Sequence, residues 1–318
     1  KGMNIVPEGK RSGVLLWNTG TPAGPKPRAV RKYLAKCLMD KRIAPMNRAG
    51  WWFVLHLFIL PKRGRASAEK YQKIWTDEGS PFTIAHQKLE AGLGAAFEDE
   101  GLDVAVRCAM SYSDPSVPDS VRELKGAGCT RLIVCPLYPQ SAYWTTGSVS
   151  DSVERALKKA RWDVTGDFVD NYHDDPTYIR AIAASIEHAG FKVDSDDKVL
   201  FSYHSIPLVD IEAGDTYELQ TGATRLQVAR ELGIGIVAYS PLGRGMLTGP
   251  AAATTHLPLL DFRRLLPRWP RAPLLDTPRQ VALVREVADA PGASPAPVAL
   301  PWPLATGDAV VPRPGTPS

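Results

Sequence analysis

The chain has few cysteines, and they show none of the spacings by which cysteines usually hold a metal. The four are Cys37, Cys108, Cys129 and Cys135, and no two of them form a CxxC pair. This argues against a cysteine-held iron–sulfur cluster. Cys135 lies inside the apolar run RLIVCPLY, where a buried free thiol is the simplest interpretation. We therefore expect reduced thiols and a cytoplasmic protein.

The chain also lacks a long hydrophobic run, a visible signal peptide and a strong charge of either sign. Its longest apolar stretch, WWFVLHLFIL at 51–60, is about half as long as a bilayer-spanning helix. The net charge is only +4, and no basic stripe is interleaved with aromatic residues, so we expect no nucleic-acid partner. No h-region or cleavage site follows Lys1, so we expect no secretory signal.

Two interpretations of the run 51–60 stay open. It is either a buried helix or an exposed apolar lip that lines a ligand pocket or rests on a membrane surface. The segment LPKRGR overlaps its end and puts cations beside it. An apolar surface rimmed by arginines suits a flat apolar ligand that carries carboxylates. The second interpretation therefore allows peripheral membrane contact through 51–60.

What the chain does have is an alternation of short apolar strands and helical patterns. Buried strands are predicted at 13–18, 103–112, 131–140 and 198–207. This alternation predicts a parallel, doubly wound α/β sheet in two similar Rossmann-like halves, the second of them truncated. In such folds ligands collect outside the carboxyl ends of the strands. The segments that follow predicted strands are TGTP, MSYSDP, YPQSAYWTTGS and SYHSIP.

The composition changes near residue 233. Fourteen of the 28 prolines fall between Pro250 and Pro317. Each proline inside a helix costs about 3 kcal/mol, so we expect poor packing in this tail. We divide the chain into an N-terminal α/β half at 1–160, an incomplete second half at 161–233 and a tail at 234–318.

His204 is the strongest single candidate for chemistry. It stands near the end of the predicted strand KVLFSYHSIP and leads into the acidic loop DIEAGDTY. A neutral imidazole there can bind a divalent metal or accept protons near neutral pH. A lone histidine at a strand end is more often structural. One histidine does not make a resident metal site, so any metal would be a weakly held substrate.

Five segments carry a family resemblance, and they follow one another in order. They are LLWNTGTP, YQKIWTDEGSPF, PLYPQSAYWTTGS, YHDDPTYI, and VLFSYHSIP followed by GDTY. On these motifs, residues from about 11 to 233 resemble ferrochelatase, which inserts ferrous iron into a porphyrin in haem synthesis. The resemblance implies two similar α/β halves with the porphyrin in a cleft between them. It also implies ferrous iron as a substrate and no required cofactor.

The same resemblance implies roles for particular residues. It puts the family's catalytic histidine at His204, which would accept pyrrole protons or bind the incoming iron. It makes 51–60 the family's apolar lip. It puts porphyrin contacts at Arg63, Tyr71, Ser80 and Tyr112, with Arg63 able to meet a propionate.

The chain departs from the ferrochelatase pattern after Leu232, where the region that carries the family's second catalytic residue, a glutamate, is replaced. The segments GIGIVAYSPLGRGMLTG, LPLLDFRRLLPRW and VVPRPGT instead resemble the C-terminal third of an aldo-keto reductase, over about 231–318. That resemblance implies phosphate contacts to NADPH through backbone N–H groups and Arg244. The reductase's own catalytic residues belong to a part that this chain lacks.

Three functions therefore stay open. The first is a ferrochelatase that acts through His204, despite the replaced glutamate region. The second is an inactive chimera that still binds porphyrin or haem. The third is an NADPH-dependent reductase fragment, against which the missing catalytic residues argue.

Overall fold

The computed structural model of the protein describes residues 11–41, 43–44, 47–143, 145–238, 277–289 and 310–312. The chain divides into two compact units. The first consists of Lys1–His173 and Tyr203–Thr221, and the second of Asp174–Ser202 and Gly222–Ser318.

Four parallel strands form the centre of the first unit. They are β1 (Ser12–Asn18), β2 (Val104–Met110), β3 (Arg131–Pro136) and β4 (Thr165–Phe168), in the spatial order β2-β1-β3-β4. β1 is central, and Ser12 is level with Val104 on one side and with Arg131 on the other. This mixed α/β architecture with a parallel sheet confirms the predicted fold class.

Helices connect the strands of the first unit. The four helices between β1 and β2 are α1 (Pro27–Leu38), α2 (Arg48–Val54), α3 (Leu60–Ile74) and α4 (Pro81–Asp99). A π-helical turn, Leu55–Ile59, joins α2 to α3. Then α5 (Val117–Gly126) connects β2 to β3, and α6 (Thr146–Ala160) connects β3 to β4. Prolines stand in the first turn of α1, α3, α4 and α5, where the missing N–H has no intrahelical partner to lose.

Successive residues of β1 belong to two different cores. Leu15 and Trp17 pack with apolar residues of α5 and α6, and Trp17 is 1% exposed. Val14 and Leu16 point to the opposite face, where apolar residues of α4 cover them. Because both faces of the sheet are covered, the strand has consecutive apolar residues from Val14 to Trp17 instead of an alternating pattern.

The second unit contains shorter elements. It holds α7 (Pro176–His188), α10 (Thr277–Asp289) and a two-stranded parallel sheet of β5 (Ile236–Ala238) and β6 (Val310–Pro312). The helix α8 (Leu208–Glu212) lies in the first unit, and α9 (Tyr217–Glu231) begins there. The buried apolar cluster of the second unit is small and consists of Ile179, Ala183, Val228 and Leu232.

The strand predicted at 198–207 is wrong, because residues 198–207 have no regular secondary structure. Leu200 is 90% exposed, whereas Phe201 packs against the apolar cluster of the second unit. A strand needs a neighbour that accepts and donates its backbone hydrogen bonds. Within the described ranges no strand pairs with these residues, and β5 pairs with β6 instead.

Candidate functional site

The carboxyl ends of β1, β2 and β3 meet at one edge of the first unit's sheet. The Tyr112 N–H donates to the carbonyl oxygen of Thr19 at 3.1 Å, which ties the loop after β2 to the loop after β1. The Leu137 N–H donates to the carbonyl oxygen of Trp17 at 2.8 Å, which ties in the loop after β3. The predicted segments TGTP, MSYSDP and YPQSAYWTTGS therefore lie side by side, whereas SYHSIP follows no strand.

A glycine is required where the first two loops touch. Gly20 has a φ of +92°, in the left-handed region that favours glycine. A Cβ atom there would lie 2.1 Å from the hydroxyl oxygen of Ser113. That oxygen in turn accepts the Thr21 N–H at 3.2 Å. The TGTP turn is therefore closed against the β2 loop by backbone and hydroxyl contacts.

Tyr112, a predicted ligand contact, is buried at this edge. Its hydroxyl donates to Oδ2 of Asp40 at 2.8 Å, and the Ser148 hydroxyl donates to the same oxygen at 3.3 Å. Burial, and then the hydrogen bond to Asp40, raise the pKa of Tyr112 well above its usual value. The phenol therefore stays protonated, and its hydroxyl is committed to Asp40.

The Cys37 thiol, on α1, lies among the predicted site residues. Its pKa is raised to about 11, first by burial and then by Asp40, and the Arg63 guanidinium opposes the shift. The pKa of Tyr71 is raised by burial and then by Cys37, and Cys37 also contributes to the raised pKa of Tyr112. Arg63 and Tyr71 on α3 and Tyr112 after β2 therefore lie within electrostatic range of one thiol.

Ser80 lines a cavity to which residues of α1 also contribute. It is buried, and its hydroxyl donates to Oγ1 of Thr21 at a long 3.4 Å. The cavity has a volume of about 860 Å³, and Tyr112 and Trp75 also line it. Cations of the α1 region line it as well, namely Lys26, Arg28, Lys32 and Lys36. This combination suits an anionic ligand with an apolar body.

His204 lies in the part of the first unit formed by Tyr203–Thr221. Its side chain is exposed, and its Nδ1 lies 2.6 Å from the carbonyl oxygen of Ser205. Among the described residues, those that line the cavity of about 860 Å³ include Ser80 and Tyr112 but not His204. The structure thus groups four predicted ligand contacts around α1, and it leaves the position of His204 relative to a ligand to be tested.

Sequence reasoning missed a polar cluster beneath the edge. The Asn18 amide donates to Nε2 of His86 at 3.0 Å, and the opposite ring nitrogen, Nδ1, lies 2.7 Å from the carbonyl oxygen of Phe82. Because a carbonyl oxygen only accepts and an amide N–H only donates, Nδ1 is the donor of this ring and Nε2 is its acceptor. Oδ1 of Asn18 accepts from the Thr19 N–H at 2.8 Å and from the Tyr138 hydroxyl at 2.9 Å, which fixes the amide's orientation.

The run 51–60 is an exposed lip and not a buried helix. Only Leu55 and Leu60 are buried, at 0% and 5% exposure. The large apolar side chains left exposed are Trp52, Phe53, Val54, Leu57 and Phe58. Of the helices in the described ranges, none is both long and apolar enough to cross a membrane.

In the part of the chain that the structure describes, no group of three or more His, Cys, Asp or Glu side chains is arranged to hold a metal ion. The four cysteines are free thiols.

Comparison with known proteins gives a family. The ferrochelatase family matches residues 11–241. The chain belongs to the ferrochelatase family. It is 43% identical to a ferrochelatase of Azoarcus sp. over 224 residues, and 38% identical to a ferrochelatase of Marinobacter nauticus over 233 residues. It is also 38% identical over 237 residues to a ferrochelatase of Haemophilus influenzae.

These alignments cover most of the chain but less of some relatives. They include 70%, 73% and 73% of this chain, in the order given. They include 61% of the Azoarcus ferrochelatase, 63% of the Marinobacter ferrochelatase and 72% of the Haemophilus ferrochelatase. The chain therefore spans less than two thirds of the length of the first two ferrochelatases.

The ferrochelatase match includes the whole four-stranded sheet, all three loops at its carboxyl edge and the segment that carries His204. The predicted phosphate contact Arg244 lies beyond the match and outside the described residues.

Proposed function

We propose that this chain binds a porphyrin at the carboxyl edge of the first unit's sheet and inserts ferrous iron into it. The observation that carries the proposal is that one family match, to the ferrochelatases, covers that edge together with the His204 segment. Ferrous iron is a substrate in this scheme, and no resident cofactor is required.

Metal insertion exchanges two protons for one metal ion. Two pyrrole N–H groups lose their protons as the divalent iron enters the macrocycle, so charge is conserved. His204 is our candidate for the first proton acceptor, because a neutral imidazole accepts protons near neutral pH. Its side chain is exposed.

The remaining predicted residues would orient the macrocycle. Arg63 is exposed on α3 and provides a cation for a propionate. The long hydrogen bond from Ser80 to Thr21 is weak enough to be exchanged for one to a carboxylate. Tyr112 has committed its hydroxyl to Asp40, so it would contact the porphyrin through its ring. Tyr71 would add a second aromatic surface.

The test is insertion of zinc, a redox-stable substitute for ferrous iron, into a porphyrin, followed by the change in porphyrin fluorescence. The unmodified chain should turn over, and His204→Ala should lose roughly 100-fold or more of the rate, as expected for loss of a general base. His188→Ala, which removes an exposed histidine at the end of α7, is the matched control and should keep the rate.

Two results would change the proposal. Porphyrin binding without any turnover by the unmodified chain would favour the inactive porphyrin-binding chimera. Equal rates for His204→Ala and His188→Ala would remove His204 from the chemistry.

We further propose that the lip at 51–60 touches a membrane surface, where a porphyrin would partition. Its exposed aromatic and aliphatic side chains support this, together with the basic residues that follow it. Co-sedimentation with anionic lipid vesicles should fall for Phe58→Ser. If the lip does touch a membrane, the reaction would take place at the cytoplasmic side of that membrane. If Phe58→Ser binds vesicles as well as the unmodified chain does, the lip has another role.

The tail supports a second inference. We infer that residues 231–318 derive from an aldo-keto reductase, on the resemblance of their segments to that family. Two of these segments, IGIVAYS and VVPRPGT, contain β5 and β6, which pair in parallel. Arg244 would then be a phosphate contact for NADPH. A fluorescence titration with NADPH decides this: saturable binding that Arg244→Ala weakens supports it, and no binding contradicts it.

A further inference from the structure

The loop after β3 is held by two side chains from the segment that follows His204. The Ser141 N–H donates to Oε1 of Gln220 at 2.8 Å, and the Tyr143 N–H donates to Oδ2 of Asp215 at 2.8 Å. Both partners are more than 70 residues away in sequence. All of these residues belong to the first unit.

Gln220 is buried, at 8% exposure, and both its amide oxygen and its amide nitrogen make hydrogen bonds. Its Nε2 donates to the Ser141 hydroxyl oxygen at 3.0 Å and to Oγ1 of Thr216 at 2.9 Å. A flipped amide would face the Ser141 N–H with a second donor, so the contacts fix its orientation. Gln220 therefore recognises both the backbone and the side chain of Ser141.

Asp215 has two separate partners. Its Oδ2 accepts from the Tyr143 loop, and its Oδ1 accepts the Tyr217 N–H at 2.8 Å at the start of α9. Asp175 is a useful contrast, since its Oδ1 accepts N–H groups only from the first turn of α7, at 2.8 and 3.1 Å. Both aspartates accept an N–H from the first turn of a helix, and Asp215 in addition joins that turn to the sheet edge.

Two backbone hydrogen bonds connect Asp215 to residues nearer His204 in the chain. The Asp215 N–H donates to the carbonyl oxygen of Asp210 at 2.9 Å, and the Asp210 N–H donates to that of Pro207 at 3.1 Å. Pro207 is thus held through α8 to the same anchor. Pro207 is three positions after His204 in the chain, a reach of at most about 10 Å.

The two hydrogen-bonded segments also line a common cavity. Ser141 and Tyr143 from the loop, and Asp210 and Asp215 from the other segment, line one cavity of about 810 Å³. A ligand in this cavity would contact both segments, so their relative position matters to it.

We propose that Asp215 and Gln220 are positioning residues that hold the His204 segment against the loop Ser141–Tyr143 at the carboxyl edge of the sheet. This rests on the proposed role of His204 in metal insertion. Neither residue touches the reacting atoms; they act by fixing where the imidazole is presented.

The test compares Asp215→Ala and Gln220→Met with Asp175→Ala, which removes a helix cap of the same kind and no loop contact. The first measurement needs no turnover: the NMR signals of the His204 ring at one fixed pH, assigned with His204→Ala. We expect these signals to move in both positioning variants and to stay in place in Asp175→Ala. Amide exchange at Ser141 and Tyr143 should accelerate in the same two variants.

The second measurement is zinc insertion. We expect kcat to fall roughly 10- to 100-fold, the order of effect of a misplaced catalytic group, with KM little changed. Asp215→Asn keeps one acceptor oxygen and should recover part of the rate. A variant that merely loosened the fold would lower both parameters or only the amount of folded protein.

The outcomes separate the two proposals. If the unmodified chain does not insert metal, the proposed function fails, and the NMR comparison still decides the positioning role. Unchanged His204 signals in Gln220→Met, or equal shifts in Asp175→Ala, would overturn the inference. So would faster exchange at Ser141 with an unchanged kcat.

Discussion

Two apolar runs of this chain, one in β1 and one at 198–207, have similar sequence patterns and different structures. In the first unit, the apolar run of β1 is covered by α5 and α6 on one face and by α4 on the other. The run at 198–207, which begins in the second unit and ends in the first, has no paired neighbour among the described residues and forms no strand. An apolar run thus becomes a strand only where its neighbours complete a sheet.

This difference should appear most strongly in core stability. Leu15→Ala and Leu232→Ala are matched substitutions, since the two side chains are 0% and 5% exposed. We expect Leu15→Ala to lower the free energy of unfolding by about 4 kcal/mol and Leu232→Ala by about 2 kcal/mol, because the smaller cluster can relax around the gap. Native-state hydrogen exchange reports each unit separately. Equal losses would show that the two cores are equally rigid.

The lip at 51–60 differs from the rest of the first unit because most of its apolar side chains are exposed. Two leucines within it should therefore differ in how much they contribute to stability, and this is the next largest expected effect. Leu55 and Leu57 lie in one π-helical turn, yet they are 0% and 62% exposed. Leu55→Ala should cost about 2–4 kcal/mol of unfolding free energy, and Leu57→Ala about 0.5 kcal/mol or less. Urea titration of the two variants checks this. A similar loss in both would mean that the lip is packed in solution.

The polar network at the sheet edge should contribute less than the core. Tyr112→Phe removes one donor to the part-buried carboxylate of Asp40, and we expect a loss of about 1–3 kcal/mol in the free energy of unfolding because a carboxylate oxygen loses a hydrogen bond. Tyr71→Phe is the control, with an expected change below about 0.5 kcal/mol. Thermal unfolding of both variants would decide. An unchanged stability of Tyr112→Phe would show that the other contacts of Asp40 satisfy its carboxylate.

The smallest expected effect is a pH dependence due to Cys37. Burial raises the pKa of its thiol from 9.0 to about 11, so the folded chain holds that proton more tightly than the unfolded chain. The resulting stability is complete below pH 9 and is lost as the pH rises towards 11, by about 1–2 kcal/mol. Raised tyrosine pKa values add to this loss in every variant. The contribution of the thiol is therefore the difference in unfolding free energy between the unmodified chain and Cys37→Ala. If that difference does not change from pH 8.5 to 10.5, the thiol makes no pH-dependent contribution.

Much of the fold followed from the sequence because β1, β2 and β3 are apolar runs closed by turn residues. Their parallel arrangement places TGTP, MSYSDP and YPQSAYWTTGS together by geometry alone. The exposure of 51–60 could not be predicted, since nine of its ten residues are apolar and the single histidine, His56, does not tell which face meets solvent.

The rest of the site depends on contacts between distant parts of the chain. The pair Asn18 and His86 is 68 residues apart, and Gln220 lies 79 residues from Ser141. The position of Asn18 at the polar end of a buried strand is a weak indication that it belongs to a site. Nothing in the sequence of the helix that carries His86 indicates this, and only the folded chain shows that the two side chains meet.

We propose that a porphyrin binds at the carboxyl edge of the four-stranded sheet. Hydrogen exchange of the unmodified chain, measured with and without a porphyrin, tests this binding site without requiring turnover. We expect slower exchange in the three edge loops, at 18–22, 111–114 and 137–143, and in the segment around His204. Saturable porphyrin binding that protects none of these segments would contradict it.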